Sequence, residues 1–588
     1  MMTTMSNATT TRSNKGSRRS NNNCGSTDDD NFTQSVISTA DTAILSKLSC
    51  VEYGYYQDPF LHSMACGARG LNSASSSSTA ASASSGGVGR IGRGGRCGGS
   101  GGGGRTGCGR GDSTGAGYTI EPIIRRGTYA RVKAIERAID AFLSLTFSSA
   151  EKSEGNQNDD DGTNNHRNHH QQRQIVILGS GRDTNYLRYM YRDKMKSLGE
   201  KEEDATKHQG GGSSNSNVIK NNVRWYEVDH PSVVSQKARE WLPNCLLPHG
   251  YTYRCNAVHD GNHNAKNDNN KIDDDASYAI TILPPKKINI NGEEVERNLT
   301  SSRSTSLKID STQQPVPPTT LPNYHLIGHD LRSDPSQLFE KLSRPNHGYD
   351  KSVPTLFVLE CVLMYLPECS IRDLLRCIAE SPCGSIGSSS TTSASTSISF
   401  VAIAVYDPIP SRDRFGRTMI DNLHKAGITS AVRDEGRELV DESRKGTSQV
   451  LDNDNESNHW HLLLGLEGTR TLSDQLSRLV HSGGFDIAVG CDMMSAYNYG
   501  VISEEERRVA ARCEMLDELE EFVLLMEHYC FVMGVVFPCS SRNNKTGLLG
   551  DHDNTQSRFC VAERLCSVGV DSLIGFREGN CTIMRSDR

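Results

Sequence analysis

The apolar positions of this chain fall in short patterned pieces separated by long polar stretches. Ile175 to Leu178 are four consecutive apolar residues, which predicts a strand over 174–178, buried on both faces. Similar runs predict strands at 223–228, 324–328, 355–359, 398–406 and 485–489, and a last one over Cys530–Phe537. Between them the period changes. Val132, Ile135, Ile139 and Phe142 recur at helical spacing within 129–143. Residues 367–380 predict another helix, and Leu516, Leu519, Val523 and Met526 mark a final one. Strands alternating with helices predict an α/β fold with a doubly wound, Rossmann-like sheet. No repeat of 20 to 50 residues occurs, which argues against a solenoid or propeller.

The polar stretches set the organisation. Residues 68–117 are rich in Ser and Ala, then in Gly and Arg; 384–397 are almost entirely Ser and Thr. Further polar blocks occupy 148–172, 199–221, 259–275, 295–320, 443–458 and 540–556. None carries enough apolar surface to offset the entropy of ordering it. The expected division is a disordered tail at 1–40, an N-terminal segment of the folded unit at 41–66, a disordered insertion at 67–117, and the main domain with low-complexity insertions at 118–588. Composition agrees: of 588 residues only 35% are hydrophobic and 6% aromatic. The net charge of -7 is spread out and points to neither a nucleic-acid nor a membrane surface. The 18 cysteines are scattered with no Cys-x-x-Cys, so no metal site is expected and reduced thiols are the plain reading. No apolar run reaches the roughly 20 residues needed to span a bilayer. The expected location is the cytoplasm or nucleus. Arg90–Arg110 contains Arg-Gly-Gly steps that could touch nucleic acid, although a flexible linker is the favoured reading. Asp452–Glu456 lacks the glycine and glutamate of a calcium loop.

Candidate chemistry sits at the strand ends. The first strand runs into Gly179-Ser180-Gly181, where the backbone can approach a ligand closely. The second ends in Asp229, placed to accept from ribose hydroxyls. Thr184 stands where a dinucleotide loop has its third glycine, which favours an adenosine cofactor without a pyrophosphate, S-adenosylmethionine over NAD. A plain structural turn explains Gly-Ser-Gly equally well. Asp330 and Glu360 end two further strands, and three acids behind a glycine loop are harder to dismiss than one. The spacing from Gly179 to Asp229 is more than twice the roughly 20 residues usual for such a unit; the 199–221 block accounts for the excess.

The order of motifs resembles the leucine carboxyl methyltransferases. Gly54–Phe60 is similar to their Gly-Tyr-x-x-Asp-Pro segment, and Arg126–Val132 to their Arg-Gly-x-x-x-Arg segment. The glycine loop, Glu227–Pro231, Gly328–Arg332, Glu360–Tyr365, Asp413–Gly416, Glu514–Glu518 and His528-Tyr529 follow in order. The resemblance implies a class I methyltransferase sheet with helical N-terminal additions. It implies S-adenosylmethionine as cofactor and the C-terminal leucine carboxylate of protein phosphatase 2A catalytic subunits as substrate. By the same resemblance, Lys47 and Arg131 bind the cofactor's carboxylate, Gly179 lies under its methionyl and ribose region, and Asp229 holds the ribose hydroxyls. Asp330 and Leu331 frame the adenine, and Glu360 accepts from the ammonium group. Arg131 and Tyr365 orient the reacting carboxylate. Ser180, Arg182 and His329 depart from the family pattern, and Arg182 has no evident place in the loop. Each residue also has a plainer reading: Lys47 solvated, Arg131 paired with Glu136, Tyr365 in the core, and Cys361 a buried neutral thiol. The related wybutosine-synthesising enzymes, which act on tRNA and carry a kelch-type propeller, share these motifs; no kelch-like repeat occurs here, so that reading ranks second. A non-catalytic RNA-binding protein is the remaining alternative.

Overall fold

The computed structural model describes residues 26–66, 68, 120–145, 172–192, 223–258, 277–283, 323–381, 400–425, 464–466, 468–537 and 582–586; side chains are described from 39 in the first segment and to 422 in the eighth. Apart from Ala68 and Gln172, the polar blocks named above lie outside the described residues. Ten strands form one sheet in the order β10-β8-β9-β7-β6-β1-β2-β5-β4-β3. They are β1 (Arg173–Leu178), β2 (Val223–Asp229), β3 (Thr252–Ala257), β4 (Ser277–Leu283), β5 (Tyr324–Gly328), β6 (Thr355–Glu360), β7 (Val401–Pro408), β8 (Ile487–Asp492), β9 (Tyr529–Val536) and β10 (Thr582–Arg585). The central five, β5-β2-β1-β6-β7, run parallel. β9 is inserted antiparallel between β7 and β8, and β4 and β3 extend the other side antiparallel.

The sheet is covered on both faces, which explains its uninterrupted apolar runs. Ile175 and Ile177 of β1 join one core with α1 (Ser26–Glu52), α2 (Leu61–Ala65) and α3 (Pro122–Ser144). Val176 and Leu178 point into the other, with Leu338 and Phe339 and with Leu374, Leu375 and Ile378. Leu356 and Val358 against Phe357 and Leu359 repeat the alternation in β6. α3 begins with Pro122 at its first turn, where no N–H is needed. Its predicted stripe of Val132, Ile135, Ile139 and Phe142 is buried.

Chain order places the site. From β1 the chain moves to β2 and β5 on one side, then to β6 and β7 on the other. The crevice over the carboxyl ends of β1 and β6 is therefore the switch point of the sheet, where open α/β folds hold ligands. The expected doubly wound sheet is present, and β1, β2, β5 and β6 lie within a residue of their predicted spans. β7 starts three and β8 two residues later than predicted, and β3, β4 and β10 were not predicted. α1 begins at Ser26 and so takes in part of the stretch read as a tail at 1–40. No helix among the described residues is long and apolar enough to cross a membrane.

One buried ion pair fixes the base of the crevice. Lys237 Nζ lies 2.5 Å from Glu227 of β2 and donates to the carbonyl of Asp183 at 3.0 Å, with both side chains almost wholly buried. It ties the second strand to the loop after the first. Lys237→Met strands a buried carboxylate and is expected to cost about 3–5 kcal/mol of stability. Urea denaturation measures this; a loss under about 1 kcal/mol would show that water reaches Glu227.

Candidate active site

A cavity of about 200 Å³ occupies the switch point. Its walls are the loops after β1, β2, β5 and β6; α1 and α3 close it from above. All eight residues singled out from sequence line it: Lys47, Arg131, Gly179, Asp229, Asp330, Leu331, Glu360 and Tyr365.

The glycine loop is shaped by its own hydrogen bonds. Gly179 and Gly181 have φ of +67° and +44°, in the left-handed region. A Cβ on Gly179 would meet Val362 at 2.6 Å. The N–H groups of Gly179 and Ser180 donate to Val228 O at 2.8 and 3.2 Å, and that of Gly181 to Asp229 Oδ2 at 2.6 Å. These N–H groups are thus spent within the protein. A phosphate-binding loop aims them at its ligand, so the geometry suits a ligand without a pyrophosphate. Thr184 uses its hydroxyl to bind Asp58 at 2.6 Å, linking the loop to the Asp-Pro segment.

Asp229 accepts from both Gly181 N–H and His230 N–H, the latter at 2.7 Å. Burial raises its pKa, and those two donors oppose the rise. A carboxylate offers about four lone-pair directions, so Asp229 retains capacity toward the cavity.

Glu360 is the electrostatic centre. Its carboxylate lies 3.0 Å from Lys47 Nζ and 2.9 Å from Arg131 Nε. Burial pushes its pKa up, but Lys47 and Arg131 outweigh burial and hold it below the usual range. Glu136, by contrast, pairs with Lys133 and Arg188. Arg131 Nη2 is buried with no hydrogen-bond partner among the described residues, and so is Ser180 Oγ. A buried, unpaired guanidinium nitrogen is costly unless an acceptor arrives. Two cations against one acid leave a net positive charge at this end, which suits the carboxylate of an amino acid group. Glu360 suits its ammonium.

Asp330 is already engaged: Arg332 Nη2 lies 2.5 Å away, and the Arg332 N–H donates at 2.9 Å. Burial raises the Asp330 pKa, and the bonds to Arg332 more than reverse it. Tyr365 ends a 3-10 turn, Leu363–Tyr365. Burial raises the pKa of its phenol, with Cys361, Tyr529 and Asp407 adding to the rise, so it stays neutral.

Three features were missed in the sequence. Cys361 has φ +55°, uncommon for a residue with a side chain; burial pushes its thiol to about 12, which agrees with a neutral cysteine. Asp407, near the end of β7, is buried beside the turn that carries Tyr365; the backbone of Val362 and Leu363 opposes the rise of its pKa, and Gln475 Nε2 donates to it at 3.4 Å. Its signal was present, since it too is an acid after an apolar strand. Ser411, Asp413 and His528 form a cluster: both oxygens contact His528 Nε2, at 2.8 and 3.1 Å, while Nδ1 meets Leu524 O at 2.7 Å. A nucleophile–base–acid relay needs the hydroxyl and carboxylate on opposite ring nitrogens. This cluster is instead a tie between the loop after β7 and the start of β9. Among the described residues no group of three or more His, Cys, Asp or Glu could hold a metal ion.

Burial raises the pKa of Asp407 to about 7, against the opposing effect of Arg478. Below pH 4 both folded and unfolded chains carry the proton. As pH rises toward 7 the unfolded chain releases it first, so this contribution to stability is lost over that window, by up to roughly 4 kcal/mol. Asp407→Asn is expected to remove this part of the pH dependence of the thermal midpoint between pH 4 and 8. An unchanged slope would refute the assignment.

A family profile described as leucine carboxyl methyltransferase matches residues 293–379, which contain β5 and β6. A leucine carboxyl methyltransferase 1 homolog of Arabidopsis thaliana is 29% identical over 234 residues, 40% of this chain and 52% of that protein. Leucine carboxyl methyltransferase 1 of Rattus norvegicus is 30% identical over 207 residues, covering 35% and 46%. Its counterpart in Aspergillus fumigatus is 24% identical over 421 residues, covering 71% and 74%. The chain spans about half the length of most of the curated relatives it matches. By these matches the chain is similar to the leucine carboxyl methyltransferases over part of its length.

Proposed function

We propose that the protein is an S-adenosylmethionine-dependent methyltransferase that esterifies the C-terminal leucine carboxylate of protein phosphatase 2A catalytic subunits. The observation that carries this reading is the Glu360 carboxylate held between Lys47 and Arg131, with Asp229 lining the same cavity. That set matches a zwitterionic amino acid end and a ribose on one ligand. Lys47 and Arg131 take the cofactor's carboxylate, Glu360 its ammonium, and Asp229 its ribose hydroxyls. Gly179 supplies the surface beneath, and Asp330 and Leu331 border the adenine.

When bound, the cofactor supplies an electrophilic methyl group on a sulfonium. The acceptor is a terminal carboxylate with pKa about 3.5, already ionised at neutral pH. No general base is needed, which fits a site whose tyrosine is kept neutral and whose serine–histidine cluster is not a relay. Opposite charges are neutralised as the ester forms, so a site that excludes water favours the reaction. Arg131 and Tyr365 orient the incoming carboxylate and move no proton. Arg131 is suited to this because its planar fork can hold one acid through Nε and offer Nη2 to another.

A labelled-methyl assay on the phosphatase 2A catalytic subunit, beside a form lacking the last leucine, tests the reading. Label is expected on the intact subunit alone; label on both, or on tRNA instead, would overturn it. Arg131→Ala is expected to weaken S-adenosylmethionine binding about 10- to 100-fold, the worth of a charge-assisted hydrogen bond. Isothermal calorimetry measures this, and unchanged affinity would remove Arg131 from the cofactor site.

A further inference from the structure

Arg182, which the sequence left unplaced, lines the cavity, but its guanidinium is engaged by other parts of the protein. Its Nη2 lies 2.7 Å from Asp41 of α1, and both side chains are almost fully buried. Its Nη1 donates to the carbonyls of Met64 and Cys66, at 2.7 and 3.1 Å, at the end of α2. The guanidinium stacks 3.9 Å above the ring of Trp241. One side chain therefore joins the glycine loop to α1, to α2 and to the helical stretch after β2.

The consequence concerns α1. Ala43 and Ile44 line the cavity from this helix, opposite the glycine loop. Asp41 at one end of this stretch is held by Arg182, and Lys47 at the other by Glu360. Just before the first pin the approach is close: a Cβ on Gly181 would lie 3.3 Å from that of Ala40. α1 thus forms a roof fixed at two charged points, and only the Lys47 end belongs to the cofactor contacts assigned above.

We propose that Arg182 is a positioning residue that latches α1 over the cavity through Asp41, so that the latch governs how tightly and how long S-adenosylmethionine is held. This rests on the cofactor reading given above. The latch acts through α1: it sets where Ala43, Ile44 and Lys47 stand. Preorganising a cavity wall lowers the ordering cost that binding must otherwise meet.

The test uses the full-length protein and compares Asp41→Leu, Arg182→Met and the double variant. Calorimetry gives the S-adenosylmethionine dissociation constant, stopped flow its release rate, and a thermal melt the stability. Each single variant removes one side of a buried ion pair and is expected to melt lower. The double variant has no orphan charge and should regain stability, yet bind about tenfold more weakly and release the cofactor faster. That separation is what a merely structural ion pair would not produce. Asp41→Asn keeps side-chain size, serves if the larger changes fail to fold, and should weaken binding in the same direction. Affinity that recovers along with stability, or is unchanged in all variants while the wild type binds, overturns the latch alone. Failure of the wild-type protein to bind S-adenosylmethionine overturns the cofactor reading and the latch with it.

Discussion

The site depends on keeping Glu360 ionised where water hardly reaches. Its strand is the first on the far side of the switch point, so its carboxylate stands at the centre of the crevice. Burial alone would favour the protonated acid. The remedy comes from two helices that precede the whole sheet in sequence, α1 through Lys47 and α3 through Arg131. Electrostatics thereby docks the N-terminal helices onto the strand ends. A buried triad of this kind is a poor source of stability, because desolvation of the ions offsets much of their attraction. Its arrangement makes better sense as a receptor: one positive charge remains in excess, and Arg131 Nη2 has no acceptor among the described residues.

The loop after β1 follows a complementary rule. Its N–H groups are consumed by Val228 and Asp229, its far carbonyl by Lys237, and Thr184 by Asp58. What it offers a ligand is shape: the bare backbone of Gly179, pressed so close to Val362 that no Cβ fits. The two sides of the cavity are thus specialised, the charged end for the ends of an amino acid and the glycine floor for close contact without charge. That division suits a sulfonium cofactor better than a dinucleotide, whose pyrophosphate would need free donors at this floor.

Much of this was legible because strand ends are local signals. An apolar run, a glycine pair and an acid are contiguous in sequence, so Gly179, Asp229, Asp330 and Glu360 could be read without knowing what surrounds them. Lys47, Arg131 and Tyr365 came through family resemblance, since nothing local marks a lysine on a weakly patterned helix as a roof residue. Arg182 was unreadable for a physical reason: its partners at 41, 64, 66 and 241 meet only after folding. β3 and β4 were missed because each is a short run flanked by polar stretches, and they extend the sheet only by pairing beyond β5. Asp407 was a failure of consistency, since it obeys the strand-end rule already applied to three other acids.

The surroundings of the turn after β6 explain how Tyr365 is held. The chain leaves β6 through Cys361 at φ +55°, a conformation that a residue with a Cβ adopts only when its surroundings impose it. Those surroundings are identifiable. Cys361 N–H donates to Tyr406 O at 2.7 Å, and the backbone of the next two residues lies beside the buried Asp407. From the other side, Gly465 packs against the carbonyl of Leu363, where a Cβ would collide. Arg478 anchors that wall by donating to Gly465 O at 2.8 Å and pairing with Glu368 at 2.6 Å. The turn bearing Tyr365 is therefore determined by β7 and by the 464–466 segment, neither of which supplies a cofactor contact in the assignment above. A group meant only to orient a carboxylate requires this kind of support, because its whole contribution lies in being held still.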